Sequence, residues 1–424
     1  MSTSQSPHAR CTHRLCGLAL VLCAAFAAQA QAPLSLDQAL RLAQQRSMQL
    51  VAQDAGTSAA RAMAVAAAQR PDPTFKAGLN SVPIDGPDRY RLTRDSFTML
   101  TLGVSQELTR DDKLKARAAR FERDADVAVA SRALTLANLR RDTALAWLTR
   151  HYQERMRDLL RQQRNETTLQ VEAAEAAYRG GRGAQADVFA ARTAVAQIDE
   201  RAHQADLAVA SATTRLARWV GVVAEQSLAA APEMNTSRLQ SGALEGHLAH
   251  HPQVLLALRQ EAAARAQADI AQSNQRADWS VELSYSQRGA AYSNMASLNL
   301  SIPLQWDRAN RQQRELGSAL AVVEQMRAQT EEVTREHLAD VRVALQQWQG
   351  NRERLSLYDR SLIPLAGERT QATVAAYRSG GGTLAAVLEA RRLDLDMRME
   401  RLRLEAETAA LWAQLEYLFL EQGT

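Results

Sequence analysis

The sequence predicts a mainly α-helical chain with a small β part, built from two copies of one unit. Three observations carry this: an internal repeat, two long proline-free stretches, and four short segments that alternate apolar and polar residues. The repeat comes first, because a missed duplication misreads every later element.

Residues 176–192 read AAYRGGRGAQADVFAAR and residues 375–391 read AAYRSGGGTLAAVLEAR, an offset of 199. Upstream, Gln69-Arg70-x-Asp72 matches Gln275-Arg276-x-Asp278 at offset 206, and Thr101-Leu102-x-Val104-Ser105 matches Ser297-Leu298-x-Leu300-Ser301 at offset 196. Three matches in one order place the first repeat at 31–232 and the second at 233–424. Each half reads helix, strand, strand, long helix, turn, helix.

The helices follow from the proline map. No proline occurs from Asp88 to Ala231 or from Leu304 to Ile363, and both stretches are rich in alanine and arginine, which favour helix. Leu145, Leu148, Tyr152, Met156 and Leu159 recur at three- and four-residue steps, giving one apolar face. A helix from Thr109 to Arg179 would be roughly 105 Å long at 1.5 Å per residue. The opening helix begins at Ser35, where Gln38 completes a capping box, and is expected to run to about Gln69.

Strands are expected at about 74–82, 98–108, 279–287 and 295–304. Phe75, Ala77 and Leu79 alternate with Thr74, Lys76 and Gly78; Leu100, Leu102 and Val104 alternate with Thr101, Gly103 and Ser105. The second half repeats this: Val281, Leu283 and Tyr285 oppose Ser280, Glu282, Ser284 and Ser286, and Leu298, Leu300, Ile302 and Leu304 oppose Ser297, Asn299, Ser301 and Pro303. Such strands suit either a half-buried sheet in water or a membrane barrel. Four strands cannot close a barrel, and lipid does not tolerate an open edge. The sheet must stay in water or close by oligomerisation, and three copies of four strands give twelve, enough for an aqueous lumen.

Residues 1–30 read as an export signal: Arg10 and Arg14, an apolar run from Leu15 to Phe26, then Ala28-Gln29-Ala30 before the cut. A lipid anchor through Cys23 is the alternative, disfavoured by Leu22 where a small residue is required. Cys11, Cys16 and Cys23 all lie in this segment, so the mature chain carries no disulfide, thiolate metal site or cysteine nucleophile. Removing Arg10 and Arg14 takes the formal charge from +4 to +2. That balance argues against nucleic acid as a partner.

With the duplication, the element order and the AYR-G motif before each helical turn in hand, the chain resembles the TolC-type outer-membrane efflux family over its whole mature length. The stretch 97–125 looks more like members serving heavy-metal cation pumps than those serving drug pumps. The resemblance implies a homotrimer with a twelve-stranded β-barrel in outer-membrane lipid, continuing into a periplasmic α-helical barrel of coiled-coil hairpins. Its implied function is a passive exit duct fed by an inner-membrane RND pump through a periplasmic adaptor (a membrane fusion protein). The cargo would be copper or silver, or else cobalt, zinc or cadmium; organic compounds and type I secretion are the alternatives. Residues 221–243 and the C-terminal stretch would form a belt around the helices.

The resemblance also assigns a periplasmic gate. The tip turns would be Gly180, Gly181, Arg182 and Gly183, and Ser379, Gly380, Gly381 and Gly382. Asp187 and Tyr377 fall on the acid and phenol of a clasp, and Glu389 on one position of a carboxylate ring. The second ring position is Ala386 here, and a gate arginine of well-known members is Gly382.

No catalytic residue, cofactor or metal ligand stands out. The tip glycines lack the strand and lysine of a phosphate loop and read as helix caps. His247, His250 and His251 share one turn, but their repeat counterparts are Arg41, Gln44 and Gln45, so a solvated helix start is expected rather than a metal site. Asp111 and Asp112 read as a solvated face. The rival class is a soluble periplasmic coiled-coil adaptor, which explains the export signal and the hairpins but not the four strands.

Overall fold

The computed structural model describes residues 32–236 and 251–418. The expected export signal with its three cysteines, together with His247 and His250, lies outside the described residues. Helix α1 (Leu36–Arg46) opens on the expected box: the Ser35 hydroxyl accepts from Gln38 N–H at 3.2 Å, and the Gln38 side chain accepts from Ser35 N–H at 3.1 Å. The helix does not run on unbroken to Gln69. Ser47 is extended, ends α1, and caps α2 (Met48–Ala67) by accepting from Leu50 N–H. Serine competes for its own backbone in this way, so one expected helix is two.

Strands β1 (Thr74–Asn80), β2 (Met99–Leu108), β3 (Trp279–Arg288) and β4 (Met295–Ser301) form one antiparallel sheet in that order. Strand β1 stops two residues early because Ser81 takes a φ of +58°, which turns the chain. Strand β4 stops at Ser301, short of the expected Leu304; Pro303, which has no N–H, bars its continuation. The register lines the apolar residues up across the sheet: Phe75 lies opposite Val104, Val104 opposite Leu283, and Leu283 opposite Leu298. All four are exposed, Leu298 at 71%. On the other face Ser284 and Ser286 are buried, Asn80 donates to the Thr101 hydroxyl, and that hydroxyl shares a hydrogen bond with Ser286. Lys76 reaches Glu282 at 2.5 Å on the same polar face.

Helix α3 (Asp111–Arg179) spans 69 residues, about 105 Å. Helix α4 (Gln185–Val220) returns along half of it, as expected. Pairs Arg161–Asp206, Arg164–Asp199 and Glu175–Arg192 step along the two antiparallel helices. Each is half-exposed and worth little alone, but together they set the register. In the second repeat α5 (Pro252–Ser273) leads into β3, and α6 (Gln312–Leu357) leaves β4. A π-turn (Tyr358–Leu362) joins α6 to α7 (Ile363–Arg378), and α8 (Leu384–Glu416) returns. The wide turn precedes Pro364, whose ring and missing N–H a regular helix cannot accommodate. There the Ile363 N–H reaches back to Tyr358 O.

The largest core sits where both repeats meet the N-terminal strand segment. Trp147, Tyr152, Leu148, Leu216, Leu345, Trp348, Trp412 and Leu415 pack there. Leu34 is tied in by a bridge to Leu228 and by its carbonyl, which accepts from Trp147 Nε1 at 3.0 Å. Arg150 is 5% exposed; it donates to the carbonyls of Ala224 and Gln226 and pairs with Glu154. Residues 221–236 lie against this core through Val223, Ala224, Leu228, Ala231 and Met234.

His251 corrects one expectation. It does start α5, its Nδ1 accepting from Gln253 N–H at 3.2 Å, but it is buried rather than solvated. Its ring lies 4.1 Å from that of His337 on α6. Burial, and then the neighbouring imidazole, lower its pKa to about 4. It is neutral at neutral pH.

Candidate functional site

The two hairpin ends are alike in backbone and unlike in side chains, and the difference locates the chemistry. In the first, Gly180 N–H donates to Ala176 O and Arg182 N–H to Ala177 O at 2.9 Å. In the second, offset by 199, Ser379 N–H donates to Ala375 O and Gly381 N–H to Ala376 O at 2.9 Å. Gly181 (φ +67°) and Gly380 (φ +80°) supply the left-handed residue that closes each turn. Gly382 is required for closeness: a Cβ there would lie 3.0 Å from Tyr377 N. An arginine at this position would force the turn to shift.

Each return helix is capped, by opposite halves of one capping box. Thr383 precedes α8, and its hydroxyl accepts from Ala386 N–H at 3.3 Å. The counterpart of Thr383 is Ala184, which has no acceptor, so Asp187 reaches back instead and accepts from Ala184 N–H at 3.2 Å. The Asp187/Ala386 difference between the repeats thus follows from the Ala184/Thr383 difference.

Under the turns lies a small apolar cluster of Ala174, Val188, Ala191, Leu384 and Val387, which packs both hairpins together. Tyr377 rests against it, half-buried, whereas its counterpart Tyr178 is exposed. The Tyr377 hydroxyl makes no hydrogen bond among the described residues. Asp187 precedes Val188 in that cluster, so the acid and the phenol share one end of the protomer. They are not bonded to each other within it.

Glu389 faces an open groove of about 730 Å³ between α3, α4 and α8, with Gln163, Thr167, Arg201 and Asp396 on its walls. Its carboxylate is clamped by Arg392, at 2.7 and 3.0 Å, and that bond holds its pKa below the usual carboxylate range. Sequence reading missed this counter-ion, although the three-residue spacing was visible. It also passed over Arg179, Arg182 and Arg378, which bring positive charge to both turns and have no side-chain partner among the described residues.

Residues 243–419 match the model of the outer membrane efflux protein family. No curated protein matches the sequence. Among solved structures, the chain is similar to the outer membrane protein VceC from Vibrio cholerae, at 19% identity and a TM-score of 0.75 over 90% of this chain and 95% of that one. It is similar to CusC, at 17% identity and a TM-score of 0.74 over 91% and 92% of the two chains. The open-state MtrE outer membrane channel of Neisseria gonorrhoeae follows at 16% identity and a TM-score of 0.73, over 90% and 88%. At such identities these structures establish the shared fold: helical hairpins carrying a four-stranded sheet.

The tip geometry sets a contrast between neighbouring glycines. Gly380→Ala places a Cβ on a left-handed residue and should cost about 1–2 kcal/mol. Gly381→Ala meets only ordinary contacts, the nearest at 3.8 Å, and should stay within about 0.5 kcal/mol of the parent. Thermal unfolding of the purified variants reads the difference, and equal losses at both positions would mean the turn is misdescribed.

Proposed function

We propose, from the premise that the chain belongs to the outer membrane efflux protein family, that three copies form a passive exit duct across the outer membrane and periplasm. One observation carries the reading: sheet and helical layer leave the same two sides open. The sheet runs β1-β2-β3-β4, so β1 and β4 are unpaired edges. Below it α2 packs on α3, α3 on α5 and α5 on α6, so α2 and α6 end the helical layer. Helix α2 precedes β1 and α6 follows β4, so each open strand continues an open helix. Apolar residues stand exposed on both flanks: Met48, Val51, Met63 and Val65 on α2, and Leu320, Val322 and Val343 on α6. Side-by-side copies would cover these flanks, pair the strand edges, and turn the row Phe75, Val104, Leu283, Leu298 outward to lipid. The polar face with Lys76 and Glu282 would then line the lumen.

The partners that fit are a periplasmic adaptor at the helical tips and an inner-membrane RND pump that does the work. The cargo is proposed to be heavy-metal cations, copper or silver ahead of cobalt, zinc or cadmium. The support is the likeness of residues 97–125 to members of that subgroup. A deletion strain should lose resistance to one group of these salts and regain it from a plasmid copy. Loss of resistance to organic compounds alone would transfer the duct to drug efflux, and a secretion defect alone to type I export.

The gate is proposed at Asp187, Tyr377 and Glu389. Asp187 keeps acceptor capacity beyond its cap bond, and the Tyr377 hydroxyl is available, so the two can clasp between neighbouring hairpins. A bond from a phenol to a carboxylate contributes roughly 1.5–3 kcal/mol when shielded, less when wet. Asp187→Ala with Tyr377→Phe should raise single-channel conductance in planar bilayers. Unchanged conductance with lower thermal stability would reduce Asp187 to its capping role. Because Arg392 half-cancels Glu389, Glu389→Gln should weaken cation selectivity and Arg392→Gln should strengthen it, read as opposite shifts of reversal potential in a salt gradient.

A further inference from the structure

About half of the arginines on the described helices are matched by an acid. Farther down α6, Arg327 pairs with Glu324 and Glu331, and Arg335 with Glu332. The segment just past β4 gathers three arginines that are not. Arg308, Arg311 and Arg314 are exposed, and among the described residues their guanidinium groups have no hydrogen bond or ion pair. Three acids of the same rim are already used. Asp111 is held by Arg70 at 3.2 Å, Asp112 by Arg110 at 2.7 Å, and Asp278 by Lys113 at 2.5 Å. Asp307 accepts from the backbone and side chain of Asn310. Residues 306–315 therefore carry three arginines against Asp307 and Glu315, an excess of positive charge repeated in every copy.

The position of this segment is defined by the sheet. Leu108 lies opposite Trp279 where β2 passes into α3, so that end of the strands is the helical rim. Trp306 stands at the same rim, 89% exposed, and Trp279 is 49% exposed. An indole with nothing packed on it, directly followed by unmatched guanidiniums, has the composition of a bilayer interface: an apolar body at the acyl boundary and cations at headgroup depth.

We infer that Trp306, Arg308, Arg311 and Arg314 form a docking surface for the phosphodiester headgroups of anionic glycerophospholipids in the membrane leaflet on the helical side. A guanidinium meets a phosphate oxygen pair with two parallel bonds, which a zwitterionic headgroup, carrying its own ammonium, satisfies internally. The inference rests on the barrel reading proposed above, and its test separates the two.

The mature protein is reconstituted in nanodiscs of phosphatidylethanolamine with a minor share of phosphatidylglycerol, then released, and its retained lipids are counted by native mass spectrometry. The parent should arrive as a trimer enriched in phosphatidylglycerol over the disc composition. Arg308→Gln, Arg311→Gln and Arg314→Gln should each lower that enrichment about fivefold, while the trimer persists. Arg335→Gln, lower on α6, should leave it unchanged. Retention in the triple variant equal to the parent would overturn the inference. So would loss of the trimer in each single variant, which would place these arginines between copies. A parent that is itself monomeric would instead sink the barrel reading.

Discussion

Everything in this chain is organised by one unmet requirement: a four-stranded sheet with an apolar outer face has two bare edges. Unpaired N–H and C=O groups at β1 and β4 are tolerable in water and costly in hydrocarbon. The helices cannot relieve this, because they lie below the sheet along the strand direction rather than beside it. Instead they reproduce the problem, ending in α2 and α6 with apolar residues uncovered. The duplication supplies the geometry. Each repeat contributes one strand pair and one hairpin, and their fusion makes a unit whose two flanks are open at both levels.

Away from the edges, the structure is held by means that leave its ends adaptable. The broad core around Trp147, Trp348 and Trp412 joins both repeats, with Arg150 donating to the carbonyls of Ala224 and Gln226. Toward the tips the apolar content thins to a small cluster, and exposed ion pairs take over. Such pairs set register at little energetic cost to breaking. The π-turn at Tyr358–Leu362 adds a local defect on the same side, tied to α8 by the bidentate contact of Asp359 with Arg401.

Much of this was legible in the residues, for reasons of periodicity. The length of α3, the return of α4 and all four strands follow from proline spacing and from alternation over enough residues to average out local exceptions. Single-residue events were less readable. The break at Ser47 depends on one hydroxyl competing for the backbone, and the early end of β1 on one positive φ at Ser81. His251 looked solvated because sequence cannot show that His337, on another helix, closes over it. The tip residues were placed by motif, but their capping roles emerge only when Ala184 and Thr383 are compared in space. Arg392 beside Glu389 was within reach of sequence reasoning, since a three-residue spacing on a helix predicts the contact.

The claim that the edges are joined between copies has a direct test, because the cysteines of the chain all precede residue 31. One cysteine is placed on β1 at Gly78 and another on β4 at Asn299, with neighbouring positions scanned for register, and the protein is oxidised in its membrane. Within one copy these strands are three spacings apart, about 14 Å, beyond the roughly 7 Å Cα limit of a disulfide. Joined edges predict a reducible ladder that stops at the covalent trimer. A chain that stays monomeric at every register, or a ladder running past three, would contradict closure by three copies.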